Sequence, residues 1–103
     1  MKTFKNYTPH TIAMNDGRSF TSEGVARVSA TFTTPDHDGV CSQTFGEVTG
    51  LPKEEKGTYY IVSALVLTAA KAAGRTDCVA PATGHPQCVR KDGFIISVPC
   101  FVR

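Results

Sequence analysis

A chain of 103 residues and 11.0 kDa buries roughly 65% of its unfolded surface on folding, which supports one modest core and excludes two independent domains. Hydrophobic residues at 41% and charged residues at 19% are an ordinary globular balance, while nine glycines and six prolines point to a turn-rich fold. The net charge of +2 is too small for a dedicated duplex-binding protein.

Residues 1–50 read as β-structure. Thr11-Ile12-Ala13-Met14 leads into Asn15-Asp16-Gly17, a hairpin-turn signal because Asn and Gly tolerate positive φ, and Arg18-Ser19-Phe20 returns. Gly24 opens a strand from Val25 to Phe32, in which Val28, Ala30 and Phe32 share one face and Arg27, Ser29 and Thr31 the other. Thr33 to Gly39 reads as a loop, and Cys41 to Thr49 alternates loosely enough for a further strand. Gly50 to Gly57 is a charged connector. Thr58-Tyr59-Tyr60-Ile61-Val62 is aromatic and β-branched and reads as a strand. Ser63 is placed to cap a helix over Ala64 to Ala73, with Gly74 as its stop. That helix is apolar on most faces, so the sheet or another subunit is expected to cover it. Further on, Lys91-Asp92-Gly93 marks a second turn before the strand Phe94 to Val98, which Pro99 ends at an edge or bulge. The expectation is a single α+β domain over residues 1–103, mostly antiparallel sheet with one principal helix at about 64–73.

Charge is uneven along the chain: residues 1–51 carry four basic and five acidic groups, and residues 52–103 carry seven basic and four acidic. A basic C-terminal half suits a small anionic ligand, although a solvated surface of mixed charge is the commoner meaning. None of Cys41, Cys78, Cys88 and Cys100 forms a Cys-x-x-Cys pair, which argues against zinc. Their even number allows two disulfides. The opening Met1-Lys2-Thr3-Phe4 has no apolar leader core, however, so free and mostly buried thiols in a reducing cytoplasm are expected. The longest apolar stretch, Tyr59 to Ala73, is broken by Ser63, Thr68 and Lys71 and is too short and polar to span a bilayer.

Catalytic signatures are absent: there is no Gly-x-Ser-x-Gly, no Walker loop and no His-Glu-x-x-His. His37 between Asp36 and Asp38 could make a weak metal site, but a solvated acidic turn is the commoner outcome; Cys88 with His85 has no recognisable catalytic context. No cofactor is expected. Anion-binding candidates remain. Ser63 at a helix N-terminus offers a hydroxyl beside free amides, although a plain N-cap is its commoner role. Arg75 follows the helix and is placed to pair with Asp77. Arg90, before an Asp-Gly turn, has a planar fork that binds phosphate or stacks on a base. Arg27 lies on the face opposite Val28 and gains meaning if that face lines a subunit interface. Of Tyr59 and Tyr60, alternation puts one ring in the core and leaves the other to meet a nucleobase.

Four patterns in order carry a resemblance: Asn6-Tyr7-Thr8-Pro9-His10-Thr11-Ile12, then Gly57-Thr58-Tyr59-Tyr60-Ile61-Val62-Ser63-Ala64-Leu65-Val66, then Gly74-Arg75-Thr76-Asp77 with Ala80-Pro81, then Val89-Arg90-Lys91-Asp92-Gly93. Together they resemble the first-described Thoeris anti-defence proteins of phages, over residues 6 to 96. The resemblance implies a non-enzymatic sponge in the host bacterial cytoplasm. Such a sponge binds cyclic ADP-ribose isomers made by TIR immune enzymes and does not cleave them. Some members also hold cyclic oligonucleotides of a second immune pathway at a separate site. It implies homodimers, in several members hexamers, with ligand sites at subunit interfaces. It places Arg90 at the family's ligand arginine, Arg27 more loosely at an N-terminal ligand arginine, Tyr60 at the base-stacking ring, and Asp77 near a ligand asparagine whose identity differs here. The cysteines and the Thr33 to Gly39 loop depart from the pattern. The alternative is a phage accessory factor that inhibits a host protein through an exposed sheet edge. A small nucleotide-processing enzyme is a third reading and would need His10 or His85 to converge with an acid.

Overall fold

The computed structural model describes residues 2–103; Met1, part of the opening segment weighed for a leader, lies outside them. The body is a four-stranded sheet in the order β1-β6-β7-β10, formed by β1 (Thr3–Asn6), β6 (Thr58–Ile61), β7 (Cys78–Pro81) and β10 (Phe101–Val102). Three two-stranded hairpins surround it: β2 (Ile12–Ala13) with β3 (Ser19–Phe20), β4 (Arg27–Phe32) with β5 (Gln43–Thr49), and β8 (Val89–Lys91) with β9 (Phe94–Ser97). The one helix, α1 (Ala64–Ala72), joins β6 to β7. The chain is therefore α+β with mostly antiparallel pairings, as expected. The difference lies at the centre, where β1, β6 and β7 run parallel. A parallel pair needs a crossover, and α1 supplies it.

Local signals set the ends of α1. Ser63 holds an extended backbone (φ −67°, ψ 160°) while its Oγ accepts from the Val66 amide at 3.3 Å. At the other end Gly74 takes φ +91°, its amide donates to the Lys71 carbonyl and the Arg75 amide donates to the Ala70 carbonyl. This is the Schellman stop. Val66, Leu67 and Ala70 pack with Ala26, Val62, Cys78 and Ala80, and Tyr7, Val28, Val48 and Leu51 close the rim. The sheet covers this face only. Leu65 stays half exposed, and the rest of the outer face is Ala64, Thr68, Lys71 and Ala72, small or polar residues that tolerate water.

The strand expected from Val25 starts at Arg27, because the Ala26 amide donates to the Tyr7 carbonyl (2.9 Å) instead of joining a ladder. In β4–β5 Val28 stands against Val48 and Ala30 against Phe45, with a register shift between them that places an extra residue on β5; Val28, Ala30 and Phe32 alternate along β4 as their spacing predicts. Beyond Val28 this hairpin leaves the body, and every residue from Ser29 to Glu47 is exposed. The radius of gyration is accordingly 15.7 Å, against about 13 Å for a compact domain of this length.

Candidate functional site

The first motif of the chain folds around a fully buried asparagine. Asn6 Nδ2 donates to the carbonyls of His10 (2.7 Å) and Phe20 (2.9 Å), and its Oδ1 accepts from the Thr8 amide (2.9 Å) and hydroxyl (2.6 Å). All its hydrogen-bonding capacity is used, so the Asn6–Thr11 turn is held rigidly against β1. That turn forms one wall of a groove of about 350 Å³ at the start of α1. Thr8 and Pro9 line one side, Arg27 another, and Ser63 and Leu65 the helix end. The amides of Ala64 and Leu65 belong to the first turn and have no partner within the helix. An exposed guanidinium thus shares a groove with a helix N-terminus, two features that both favour an anion. Two of the six residues expected to bind a ligand, Arg27 and Ser63, meet here.

Arg75 and Asp77 are committed to each other. Arg75 Nε donates to Asp77 Oδ1 (2.8 Å) and Nη2 to Asp77 Oδ2 (2.7 Å); Nη2 also donates to the Pro52 carbonyl (3.0 Å), and Glu54 lies 3.3 Å from Nε. Burial pushes the Asp77 carboxyl up, but the Arg75 hydrogen bonds and charge outweigh it and leave the group below its ordinary value. The same hydrogen bonds raise Arg75. The expectation that these two bind a ligand is corrected: their charges are spent on each other beneath the connector.

Tyr60 is corrected as well. It is 0% exposed, its ring meets Tyr7 edge-on at 5.5 Å, and its hydroxyl donates to the Lys53 carbonyl at 3.1 Å. Burial pushes its phenol up. A ring packed on all sides offers no face to a base. The accessible member of the pair is Tyr59, stacked on Phe4 at 5.5 Å, with the Lys2 ammonium 5.4 Å from its ring centroid and Arg103 Nη1 donating to its hydroxyl at 3.2 Å. Tyr59 and Arg103 line a cavity of about 320 Å³ with Phe4 and Phe101. Alternation along the strand announced one buried and one open ring; which was which depended on the partner on each face. Nothing local marked Arg103 or Lys2.

Arg90 is exposed on β8, where Nη2 donates to the Thr83 carbonyl at 3.3 Å. Asp92 (φ +52°) and Gly93 (φ +83°) make the turn that the sequence predicts and leave this hairpin projecting. Comparison of the chain with protein-family models, with curated proteins and with solved structures finds no match. The site therefore stands on its own geometry.

The remaining reactive groups are dispersed. Among the described residues, no cluster of three His, Cys, Asp or Glu side chains could hold a metal ion, and His37 reaches Asp38 only at 3.7 Å in open solvent. All four cysteines are free. Cys78 is buried and its thiol is pushed up to about 11, chiefly by burial. Cys41 is exposed, while Cys88 and Cys100 are partly covered, so the expectation of mostly buried thiols holds fully only for Cys78. The Cys88 thiol donates to the Ala82 carbonyl at 3.0 Å, and His85 Nδ1 accepts from the Gln87 amide. Each is thus engaged with backbone. No helix among the described residues is long and apolar enough to cross a membrane.

Proposed function

We propose that this chain is a phage anti-defence sponge, which binds cyclic nucleotide immune signals in the host bacterial cytoplasm and holds them without cleaving them. Cyclic ADP-ribose isomers are the first ligand class and cyclic oligonucleotides the second. The observation that supports it best is the groove in which Arg27 and the α1 N-terminus at Ser63 converge. A phosphate seated there would meet a guanidinium, a hydroxyl and two free amides. The ordered motifs of the sequence support the same reading. Arg90 stands apart from this groove within one chain, and a homo-oligomer, dimer or hexamer, would bring a second chain's Arg90 to an interface site.

Isothermal titration with cyclic ADP-ribose isomers and a cyclic trinucleotide, followed by heat denaturation and recovery of the ligand, tests the reading. Tight binding with the ligand recovered intact is the expected result, and Arg27→Ala and Arg90→Ala each weaken it at least about tenfold, the scale of a lost charge-assisted contact, with an unchanged circular dichroism spectrum. Recovery of a cleaved product would make it an enzyme. Silence across the ligand panel would leave the second reading, direct inhibition of a host protein, which is favoured by the open strand edges of β4–β5.

A further inference from the structure

The surface is too large for the mass. The chain exposes 6977 Å², whereas a folded monomer of its 11.0 kDa exposes about 5,600 Å². The excess, about 1,400 Å², is more than the roughly 800 Å² that each partner gives to a standard stable interface. Its location is visible in the β4–β5 arm. Val28 and Val48 at the arm's base pack on the core. Past the register shift that follows Val28, the apolar positions continue outward through Ala30, Phe32 and Phe45, with Phe32 64% and Phe45 44% exposed. A two-stranded ribbon with nothing against it is marginal in water. This one carries apolar side chains past the edge of its own body.

A complementary surface lies elsewhere on the same molecule. The arm from Ser29 to Glu47 holds Asp36, Asp38 and Glu47 and no lysine or arginine. The β8–β9 hairpin presents Lys91 on the face of an apolar pair, Phe94 at 74% and Ile96 at 50% exposed, while Arg90, opposite Ile95, lies on the other face and Asp92 is in the turn. Phe94 lies directly opposite Lys91, so aromatic and cation share a face. The arm is apolar with acidic groups only, and the Phe94 face of the other hairpin is apolar with the Lys91 ammonium beside it.

We infer that the β4–β5 arm of one chain docks on the β8–β9 hairpin of a second copy, and the reverse, in a two-fold dimer with two equivalent contacts. The contact names the surface behind the oligomeric part of the proposed function and does not depend on its ligand. A failed nucleotide titration leaves it standing, and its failure leaves nucleotide binding by a single chain open.

Light scattering of the purified full chain, coupled to size exclusion, gives the mass, and twice 11.0 kDa is expected, or a higher even multiple if dimers assemble further. Phe32→Asp with Phe45→Asp gives the single-chain mass with an unchanged circular dichroism spectrum, because both side chains are exposed within one chain. Phe94→Asp does the same. Lys91→Glu raises the dimer dissociation constant about tenfold, and adding Asp36→Lys and Asp38→Lys to it restores the wild-type value. A single-chain mass for the wild type at high micromolar concentration overturns the inference and leaves the arm to a different protein. A dimer that survives the arm substitutions, or that loses its mass with them but not with Phe94→Asp, overturns it too.

Discussion

Asn6 shows how a polar side chain can specify a turn. It is fully buried and its amide meets four partners contributed by three residues. Removing it takes a partner from the Phe20 carbonyl and from the buried Thr8 amide, while the Thr8 hydroxyl keeps the His10 carbonyl at 3.0 Å. Asn6→Ala should therefore lower unfolding stability by about 2–4 kcal/mol, read from urea midpoints, and should loosen the wall of the Arg27 groove with it. The Arg75–Asp77 pair acts through pH. The Asp77 carboxyl sits below its ordinary value in the folded chain, so it contributes stability above its unfolded value of about 3.9. That contribution is lost as pH falls through the lower folded value. Thermal melts of wild type and Asp77→Asn should converge as pH drops from 5 towards 2, with the wild type more stable at the upper end. Parallel curves would show that the pair adds nothing through this titration.

At the scale of elements, two glycines separate strain from crowding. Gly74 has φ +91° with open space where a Cβ would sit, so Gly74→Ala costs only the left-handed penalty, about 1 kcal/mol. Gly50 has φ +82°, and a Cβ there would stand 2.5 Å from the Val25 carbonyl oxygen, which is backbone and cannot swing aside. Gly50→Ala should cost about 3 kcal/mol; equal losses in chemical denaturation would show that the base of β4–β5 gives way. The helix and the hairpin turns were legible in the sequence because their signals are local: a hydroxyl before Ala64, a glycine after Ala73, Asp-Gly at residues 92–93. Strands β1, β7 and β10 were not singled out. Each is short, and what makes it a strand is a partner far along the chain, such as Thr58 opposite Thr3 or Pro81 opposite Phe101. The candidate site divides the same way. Arg75 beside Asp77 is a two-residue relation and could be read; Arg27 beside Ser63, or Arg103 on Tyr59, required the fold.

Taken whole, the molecule has a small sheet-and-helix body with two projecting hairpins, and its surface exceeds what its mass requires. Its candidate ligand groove is on the body, while Arg90 and the acidic arm are on the projections. Oligomer and ligand should consequently be thermodynamically linked if the site spans two chains: ligand raises the midpoint of thermal unfolding most at protein concentrations near the dimer dissociation constant.

The parallel pairing of β1 with β6 has a consequence for biosynthesis. Each of the three hairpins pairs strands that are neighbours in the chain, so each strand's partner is at hand soon after it is made. The N-terminal strand differs: its ladder partner runs from Thr58 to Ile61, and β7 and β10 follow later still. Until β6 is made, Phe4 and Asn6 have only their nearby partners, Phe20 for the ring and Thr8, His10 and Phe20 for the amide. A segment made more than fifty residues before its ladder partner thus waits for it.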